Sequence, residues 1–230
     1  MKIMTFNVQH CANFRTGEID LPLFAKTLAE SGADVVGINE IYGVHTDPAW
    51  HAEVARLAVA AGYPYAYFAP ALCWKGREYG NAILSKQAIL RAETILIPDP
   101  PVRDNSAYET RAVLRATLSS GLTVLVTHFG LNRSEQENAV RTVVQQLSPT
   151  CCVLMGDFNV TPDDPLLDPI RARMKDAADA FPEELWSFPA DVPQRKIDYV
   201  FVSPELTVTA ADIPALVVSD HRPHTAEIVF

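Results

Sequence analysis

The sequence has few cysteines and no long apolar run. Its four cysteines show no metal-ligand spacing, which argues against a cysteine-bound metal, and we expect them to be reduced residues of the core. No apolar stretch reaches the roughly 18 residues of a membrane-spanning helix, and no apolar signal core precedes the first predicted strand at Lys2. These absences predict a cytoplasmic protein with no transmembrane segment.

The sequence also lacks a cluster of basic residues. Lys and Arg number 19 against 28 Asp and Glu, which gives a formal net charge of −9. A protein that binds nucleic acid usually presents a basic face, because its cations release counterions from the phosphates. The acidic balance therefore disfavours nucleic acid as a partner without removing it from consideration, since carboxylates clustered at an active site would account for several of the negative charges.

The chain does contain enough apolar residues for one large core. It has 230 residues, of which 48% are hydrophobic, and no linker-like stretch, low-complexity segment or internal repeat interrupts it. Length alone allows one or two domains. The absence of a linker favours a single domain that comprises residues 1–230.

The spacing of the apolar residues predicts an α/β fold. Near the N-terminus, buried strands alternate with a helix that Asp20 caps, and a second helix is expected at about residues 50–61. Residues 65–129 contain closely spaced strand patterns without helices, which favours antiparallel pairing. A further helix is predicted at residues 134–147, with Ser134 as its capping candidate. This mixture predicts two stacked mixed sheets with helices outside.

A set of polar side chains ends the predicted strands or lies just beyond them. In α/β sheets, ligands bind where the loops leave one edge of the strands, so we expect these residues to converge. Several carboxylates meeting there would repel one another unless a cation lay among them, and a hard, oxygen-liganded ion such as Mg²⁺ fits that role. The set comprises Asn7, Glu40, Asn81, His128, Asp157, Asn159, Asp198, Asp220 and His221.

Each of these residues taken singly has an ordinary interpretation. A strand-end asparagine is more often a turn former than a ligand. Glu40 alone would pass for a solvated loop carboxylate, and an aspartate beside a histidine, as Asp220 beside His221, is usually a surface pair of small energetic value. The functional interpretation depends on their coincidence in one chain.

The residues also occur in motifs that resemble, in order and over essentially the whole chain, those of the endonuclease/exonuclease/phosphatase superfamily. GDFN followed by IDY and SDHRP is the specific part of this match, whereas INE alone is weak. The resemblance, to a bacterial-type member of this deoxyribonuclease I-like family, implies a four-layer α/β sandwich in which two mixed β-sheets lie face to face with helices on the outer faces. The motifs are TFNV, INE, YGNAILS, ETR, THFG, GDFN, KIDYVF and SDHRP.

The resemblance implies metal-binding and substrate-binding roles for five positions. Asn7 and Glu40 match the first metal-site pair of the family, with Glu40 the main ligand of Mg²⁺, for which Mn²⁺ could substitute. Asp220 resembles the late metal-site aspartate. Asn81 and Arg111 resemble residues that hold the phosphate of the substrate.

The resemblance also implies catalytic roles for five further positions. Asp157 matches the carboxylate that positions or deprotonates the attacking water, and Asn159 matches its neighbour that contacts water and phosphate. Asp198 matches the residue that braces a catalytic histidine. His221 resembles the histidine bound to the scissile phosphate, and His128 is similar to a second histidine found in the deoxyribonuclease I and sphingomyelinase branches.

Differences between this sequence and individual branches of the family reduce the number of expected substrate classes. AP endonucleases typically have an aspartate where this chain has Gln9, inositol 5-phosphatases carry basic substrate-binding segments, and neutral sphingomyelinases carry extra hydrophobic loops. We therefore expect a Mg²⁺-dependent hydrolase of a small or lipid-derived phosphate ester that uses in-line attack by water. A nuclease acting on DNA or RNA is the alternative, and a catalytically silent binding module is less favoured because every matched position carries a competent residue.

A last hypothesis concerns the rim of the expected site. Four cations are expected to form the only locally positive wall of an otherwise acidic site, and the Pro-rich segment 97–111 would close over it. These cations are Lys75, Arg77, Arg103 and Arg111, with Trp74 and Tyr79 in the same region of the chain.

Overall fold

The computed structural model describes residues 1–45, 53–74, 76–102, 108–181 and 185–230. Within these ranges the α-helices are α1 Leu21–Ser31, α2 Glu53–Ala61, α3 Arg133–Gln146 and α4 Asp168–Arg171. The strands are β1 Lys2–Asn7, β2 Val35–His45, β3 Tyr65–Trp74, β4 Arg77–Ser85, β5 Ile89–Leu96, β6 Ala112–Leu118, β7 Thr123–His128, β8 Cys152–Asp157, β9 Lys175–Asp176, β10 Asp198–Val202, β11 Thr207–Asp212 and β12 His224–Val229.

These strands form two six-stranded mixed sheets. The first sheet has the order β11–β12–β1–β2–β4–β3, and the second has the order β5–β6–β7–β8–β10–β9. Each contains one parallel pair, β1 with β2 and β7 with β8, while the other described neighbours are antiparallel. The antiparallel pairing expected for residues 65–129 is thereby confirmed.

Three groups of buried apolar side chains separate four layers. Ile3 of the first sheet and Met155 of the second belong to the group between the two sheets. Phe24 of α1 and Leu57 of α2 cover the outer face of the first sheet. Val143 of α3 packs in the group on the outer face of the second sheet. The four-layer α/β sandwich expected from the sequence is confirmed.

The ends of two helices test the capping predictions. Asp20 caps α1 as predicted, since its Oδ1 accepts a hydrogen bond from the backbone N–H three residues on, at 3.1 Å. The prediction of Ser134 as the cap of α3 is wrong, because the cap is Asn132. The carboxylate of Glu135 accepts from the backbone N–H of Asn132 at 3.2 Å, which satisfies a donor at the helix start and fixes the earlier boundary.

The second predicted helix is α2, which begins at Glu53 within the described ranges. Residues 50–52 of that prediction lie outside them. None of the helices in the described ranges combines the length and the apolar character needed to span a membrane. A cytoplasmic location stays a prediction.

Candidate active site

The facing surfaces of the two sheets change from apolar to polar at one end of the strands. Alternate residues of a strand point to the same face. His128 therefore shares the face of Val126 in β7, and Asp157 shares the face of Met155 in β8, while β10 places Asp198 in the same way. Because the apolar members of this face pack between the sheets, the polar side chains enter the same space.

Strand register brings three of these side chains side by side. His128 pairs with Asp157 across β7 and β8, and Asp198 pairs with Asp157 across β8 and β10. Gly156 permits the close approach of β7, since a Cβ atom there would lie 1.8 Å from the carbonyl oxygen of Thr127. The glycine of GDFN is therefore required by backbone packing.

The first sheet contributes Asn7 and Glu40 from the opposite side. The Nδ2 of Asn7 donates to Glu40 Oε1 and to Asp157 Oδ2, each at 3.1 Å. Regular alternation would point Glu40 toward the helices with Ile38. Its φ of 56° lies in the left-handed region, at an irregularity in the pairing of β2 with β4, and turns the side chain into the site.

Asn39 is a residue that the sequence analysis missed, although it lies in the INE motif. Its Nδ2 donates to Asn81 Oδ1 at 2.8 Å and to the carbonyl of Thr127 at 2.9 Å, and its Oδ1 accepts from the backbone N–H of Asp157 at 2.9 Å. Asn81 in turn donates to the carbonyl of Ala112 and is 2% exposed. The structure thus places Asn81, predicted to bind substrate, in a buried network beneath the site.

His221 and Asp198 form a hydrogen-bonded pair. The Nδ1 of His221 donates to Asp198 Oδ2 at 2.8 Å, and its Nε2 lies 3.5 Å from Asp157 Oδ2. Burial lowers the pKa of His221, but the carboxylates of Asp198 and Asp157 outweigh burial and raise it to about 10. His221 is therefore a cation at neutral pH, held in one orientation. The catalytic roles of the pair stay predictions.

His128 is neutral at pH 7, in contrast to His221. Burial of its ring and the charges of Arg111 and His221 together hold its pKa well below the ordinary value. Arg111 Nη1 lies 3.1 Å from His128 Nδ1, and because a guanidinium only donates, Nδ1 accepts and the proton resides on Nε2. The Nε2 atom lies 3.5 Å from Asp157 Oδ2 and 3.3 Å from the side-chain nitrogen of Asn159.

Asp157 lies at the centre of these contacts. Burial raises the pKa of Asp157, His221 opposes the shift and Asp198 adds to it, which leaves a value of about 7. Its Oδ1 accepts from the backbone N–H of Asn159 at 2.9 Å. The Asn159 amide donates to the carbonyl of Phe129 at 3.0 Å. Asp157 is therefore a fixed carboxyl group able to exchange a proton near neutral pH.

Two carboxylates at the open side of the site are suited to a divalent cation. Glu40 and Asp220 both line the cavity. Burial raises the pKa of Asp220, the cation of His221 opposes the shift, and repulsion by the charge of Glu40 adds to it. A hard cation between them would remove that repulsion. The oxygen of Asn7 accepts from the backbone N–H of Gln9 at 3.2 Å, and its Nδ2 orients Glu40. The metal-binding role of Asn7 stays a prediction.

A second group of potential ligands is less suited to a metal ion. Ligand atoms of Asp157, Asp198 and His221 lie within 4.8 Å of one another. Asp198 is not part of the cavity lining, and its carboxylate already accepts the hydrogen bond of His221 Nδ1 at 2.8 Å. The metal ligands stay predictions.

These residues surround a single open cavity with a volume of about 930 Å³. Seven of the ten predicted site residues line it, whereas Asn7, Asn81 and Asp198 lie beneath its surface. The lining comprises His10, Glu40, Tyr42, Leu72, Tyr79, Tyr108, Glu109, Arg111, His128, Leu131, Glu135, Asp157, Asn159, Phe188, Arg195, Ile197, Asp220 and His221.

The positive wall expected at the rim differs from the wall found. Arg77 is not part of the cavity lining, and it forms an ion pair with Glu53 at 3.0 Å. Lys75 and Arg103 lie outside the described residues, as does the side chain of Trp74. Arg111 does line the cavity, and so does Arg195, which the sequence analysis did not single out.

The similarity to known proteins extends over almost the whole chain. The sequence model described as Endonuclease/Exonuclease/phosphatase family matches residues 4–221. No curated protein matches the chain. Among solved structures, an endonuclease/exonuclease/phosphatase from Bacteroides vulgatus is 20% identical, with a TM-score of 0.77 over 99% of this chain and 98% of that one.

Two further solved structures carry names that state an activity. A mannosyl-6-phosphatase from Bacteroides thetaiotaomicron is 16% identical, with a TM-score of 0.78 over 100% of both chains. A 3′ phosphatase from Neisseria, bound to a product DNA hairpin, is 20% identical, with a TM-score of 0.69 over 100% of both chains. At these identities the similarities show a shared fold.

Proposed function

The chain belongs to the endonuclease/exonuclease/phosphatase family, and we propose that it is a divalent-metal-dependent hydrolase of phosphate esters, acting as one catalytic domain of residues 1–230. The substrate is a small or lipid-derived ester, cleaved by in-line attack of water. The observation that carries this proposal is the position of Asp157, whose Oδ2 lies 3.5 Å from the Nε2 atoms of both His128 and His221 in the cavity lining.

Mg²⁺ is the proposed cofactor, with Mn²⁺ as a substitute. Glu40 and Asp220 would hold it, because both are oxygen donors on the cavity lining and Glu40 is oriented by Asn7. The bound ion would neutralise charge on the phosphoryl and leaving oxygens. Asn7 also donates to Asp157, so it fixes the spacing between the proposed metal ligand and the proposed base.

Asp157 is the proposed acceptor of the proton of the attacking water. A general base works best when its pKa lies near the working pH, and burial raises the pKa of Asp157 to about 7. The hydrogen bond from the backbone of Asn159 holds Oδ1, which leaves Oδ2 directed toward the two histidines. Asn159 lines the cavity beside it and would contact the water and the phosphate.

The two histidines supply complementary hydrogen-bond donors to the phosphate. His221 is cationic, so its Nε2–H would stabilise negative charge on the phosphoryl oxygens and supply the proton of the departing oxygen. Asp198 fixes its orientation through Nδ1, as a buried carboxylate does in hydrolytic triads. His128 remains neutral, and Arg111 directs its Nε2–H toward the same region.

A nuclease is the second candidate function, because the similar 3′ phosphatase from Neisseria is bound to a DNA product. The charge of this chain opposes it. The lining of the cavity contains the carboxyl groups Glu40, Glu109, Glu135, Asp157 and Asp220. A strand of phosphates would meet these groups at several points, whereas a small ester presents its charge mainly to the metal and the histidines.

Hydrolysis measured on a panel of substrates tests this proposal. The panel comprises phosphomonoesters, the diester bis-p-nitrophenyl phosphate, sphingomyelin and single-stranded DNA, each assayed with Mg²⁺ and with EDTA. We expect turnover of a small or lipid ester that EDTA abolishes and Mg²⁺ restores, because the catalytic carboxylates leave phosphoryl charge uncompensated without the ion. Turnover that is unaffected by EDTA would contradict the metal assignment. Cleavage of DNA alone would contradict a small-ester substrate and support the nuclease.

A further inference from the structure

Arg195 is a cation of the cavity lining that the proposed mechanism does not use. Its guanidinium carbon lies 5.2 Å from the centroid of the Phe188 ring. The Phe188 ring in turn lies 4.7 Å from the ring of His221. A guanidinium is therefore held beside the place proposed for the reacting phosphate, separated from it by one aromatic ring.

Among the residues that the structure describes, none neutralises the charge of Arg195. Throughout the described ranges, no carboxylate lies within ion-pair distance of its guanidinium, and the side chain is exposed. Arg111, the other arginine of the lining, is already engaged with Glu109 at 3.0 Å and with His128 at 3.1 Å. Arg195 is thus the arginine of the lining that is available to an anion.

A short hairpin fixes the position of Arg195. The backbone N–H of Phe188 donates to the carbonyl of Arg195, and the N–H of Arg195 donates back, each at 3.0 Å. The N–H of Ala190 donates to the carbonyl of Asp220 at 2.7 Å. The hydroxyl of Ser187 accepts from the N–H of Asp198 at 3.2 Å. Because the hairpin is bonded to two segments of the proposed site, little backbone freedom is lost when a ligand binds.

We propose that Arg195 is a specificity-determining residue that binds a second phosphate group, carried by a small substrate and distinct from the reacting phosphate. A guanidinium forms paired hydrogen bonds with phosphate oxygens, and stacking on Phe188 keeps its planar fork in place. This inference rests on the proposed function, because His221 defines where the reacting phosphate lies.

Binding of matched sugar phosphates tests the inference without turnover. We would titrate fructose 1,6-bisphosphate and fructose 6-phosphate, in the presence of Mg²⁺, into an inactive Asp157→Asn protein and into the same protein carrying Arg195→Gln. The expected result is a loss of affinity of about 10-fold for the bisphosphate and less than about 2-fold for the monophosphate. Isothermal titration calorimetry gives both dissociation constants.

Arg173→Gln in the same background is the matched control. Arg173 is exposed, donates to a backbone carbonyl and does not line the cavity, so its loss should leave both affinities unchanged. The inference is overturned if Arg195→Gln weakens both ligands equally or neither, or if the Asp157→Asn protein shows no preference for the bisphosphate.

A nucleic-acid strand also carries a second phosphate, so a separate comparison distinguishes a nucleic acid from a small molecule as the ligand of Arg195. Thymidine 5′-monophosphate and the dinucleotide pTpT are titrated into the same two proteins. An Arg195-dependent gain for pTpT alone would support the phosphate subsite and contradict the small-molecule source. Because these are binding constants, they are independent of whether the substrate panel shows hydrolysis.

Discussion

Replacing Asp157 by asparagine is expected to lower kcat on the best substrate of the panel by about 10³-fold, within the range usual for removal of a general base. The amide keeps the shape of the carboxyl group but cannot accept a proton. Its neighbours stay in place, because the side chain is buried and held by Asn7 and by the backbone of Asn159. Steady-state kinetics at saturating Mg²⁺ measure the effect.

Stability measurements separate this loss from unfolding. The asparagine loses one of the hydrogen bonds that the carboxylate accepts, which costs about 1 kcal/mol and lowers the melting temperature by roughly 2–4 °C for a chain of this size. Asp212→Asn is the matched control, since Asp212 is an exposed carboxylate at the end of the edge strand β11 and does not line the cavity. If the Asp157→Asn protein is folded and its kcat is near that of the control, then Asp157 is not the general base.

Replacing His221 by glutamine is expected to lower kcat by about 10²–10³-fold, as removal of a donor to developing charge does in other enzymes. Glutamine can donate a hydrogen bond but carries no charge. The loss should therefore reflect the cation that Asp198 and Asp157 maintain at neutral pH. Rates with substrates of different leaving groups measure it, and we expect the largest loss where the departing oxygen most needs a proton.

Asp198 provides a test of how His221 works. Asp198 is proposed to act by orienting and charging the imidazole of His221. Asp198→Asn should therefore lower kcat much less in the His221→Gln background than in the unchanged protein. A complete double-mutant cycle on kcat gives the coupling. Losses that multiply, as if the two residues were independent, would contradict the pair seen at 2.8 Å.

The convergence of the site could be predicted from the sequence, because it follows from strand periodicity. His128, Asp157 and Asp198 each lie at the polar end of a strand whose alternate residues are apolar, so one sheet face had to carry all three. The motifs that contain them also placed the chain in its family. The four-layer fold and seven of the ten predicted residues as members of the cavity lining therefore followed from the sequence.

The features of the site that could not be predicted from the sequence depend on backbone geometry or on distant contacts. The left-handed φ of Glu40 has no local sequence signal, and regular alternation would have turned this side chain away from the site. In the sequence, Asn39 and Asn81 cannot be distinguished from any other asparagine near the end of a strand. In the structure both are buried and joined in a hydrogen-bond network that reaches the second sheet. Arg195 lies in a segment without periodicity. Its hairpin is held by hydrogen bonds that Ser187 and Ala190 make with backbone groups of Asp198 and Asp220.

The proposed mechanism depends on one divalent cation shared by Glu40 and Asp220. The most direct measurement is a crystal structure of the protein grown with Mn²⁺, with anomalous diffraction data collected at the manganese absorption edge. We expect an anomalous peak within bonding distance of the carboxylates of both Glu40 and Asp220. A fully occupied Mn²⁺ site elsewhere, with these two carboxylates unbound, would contradict it.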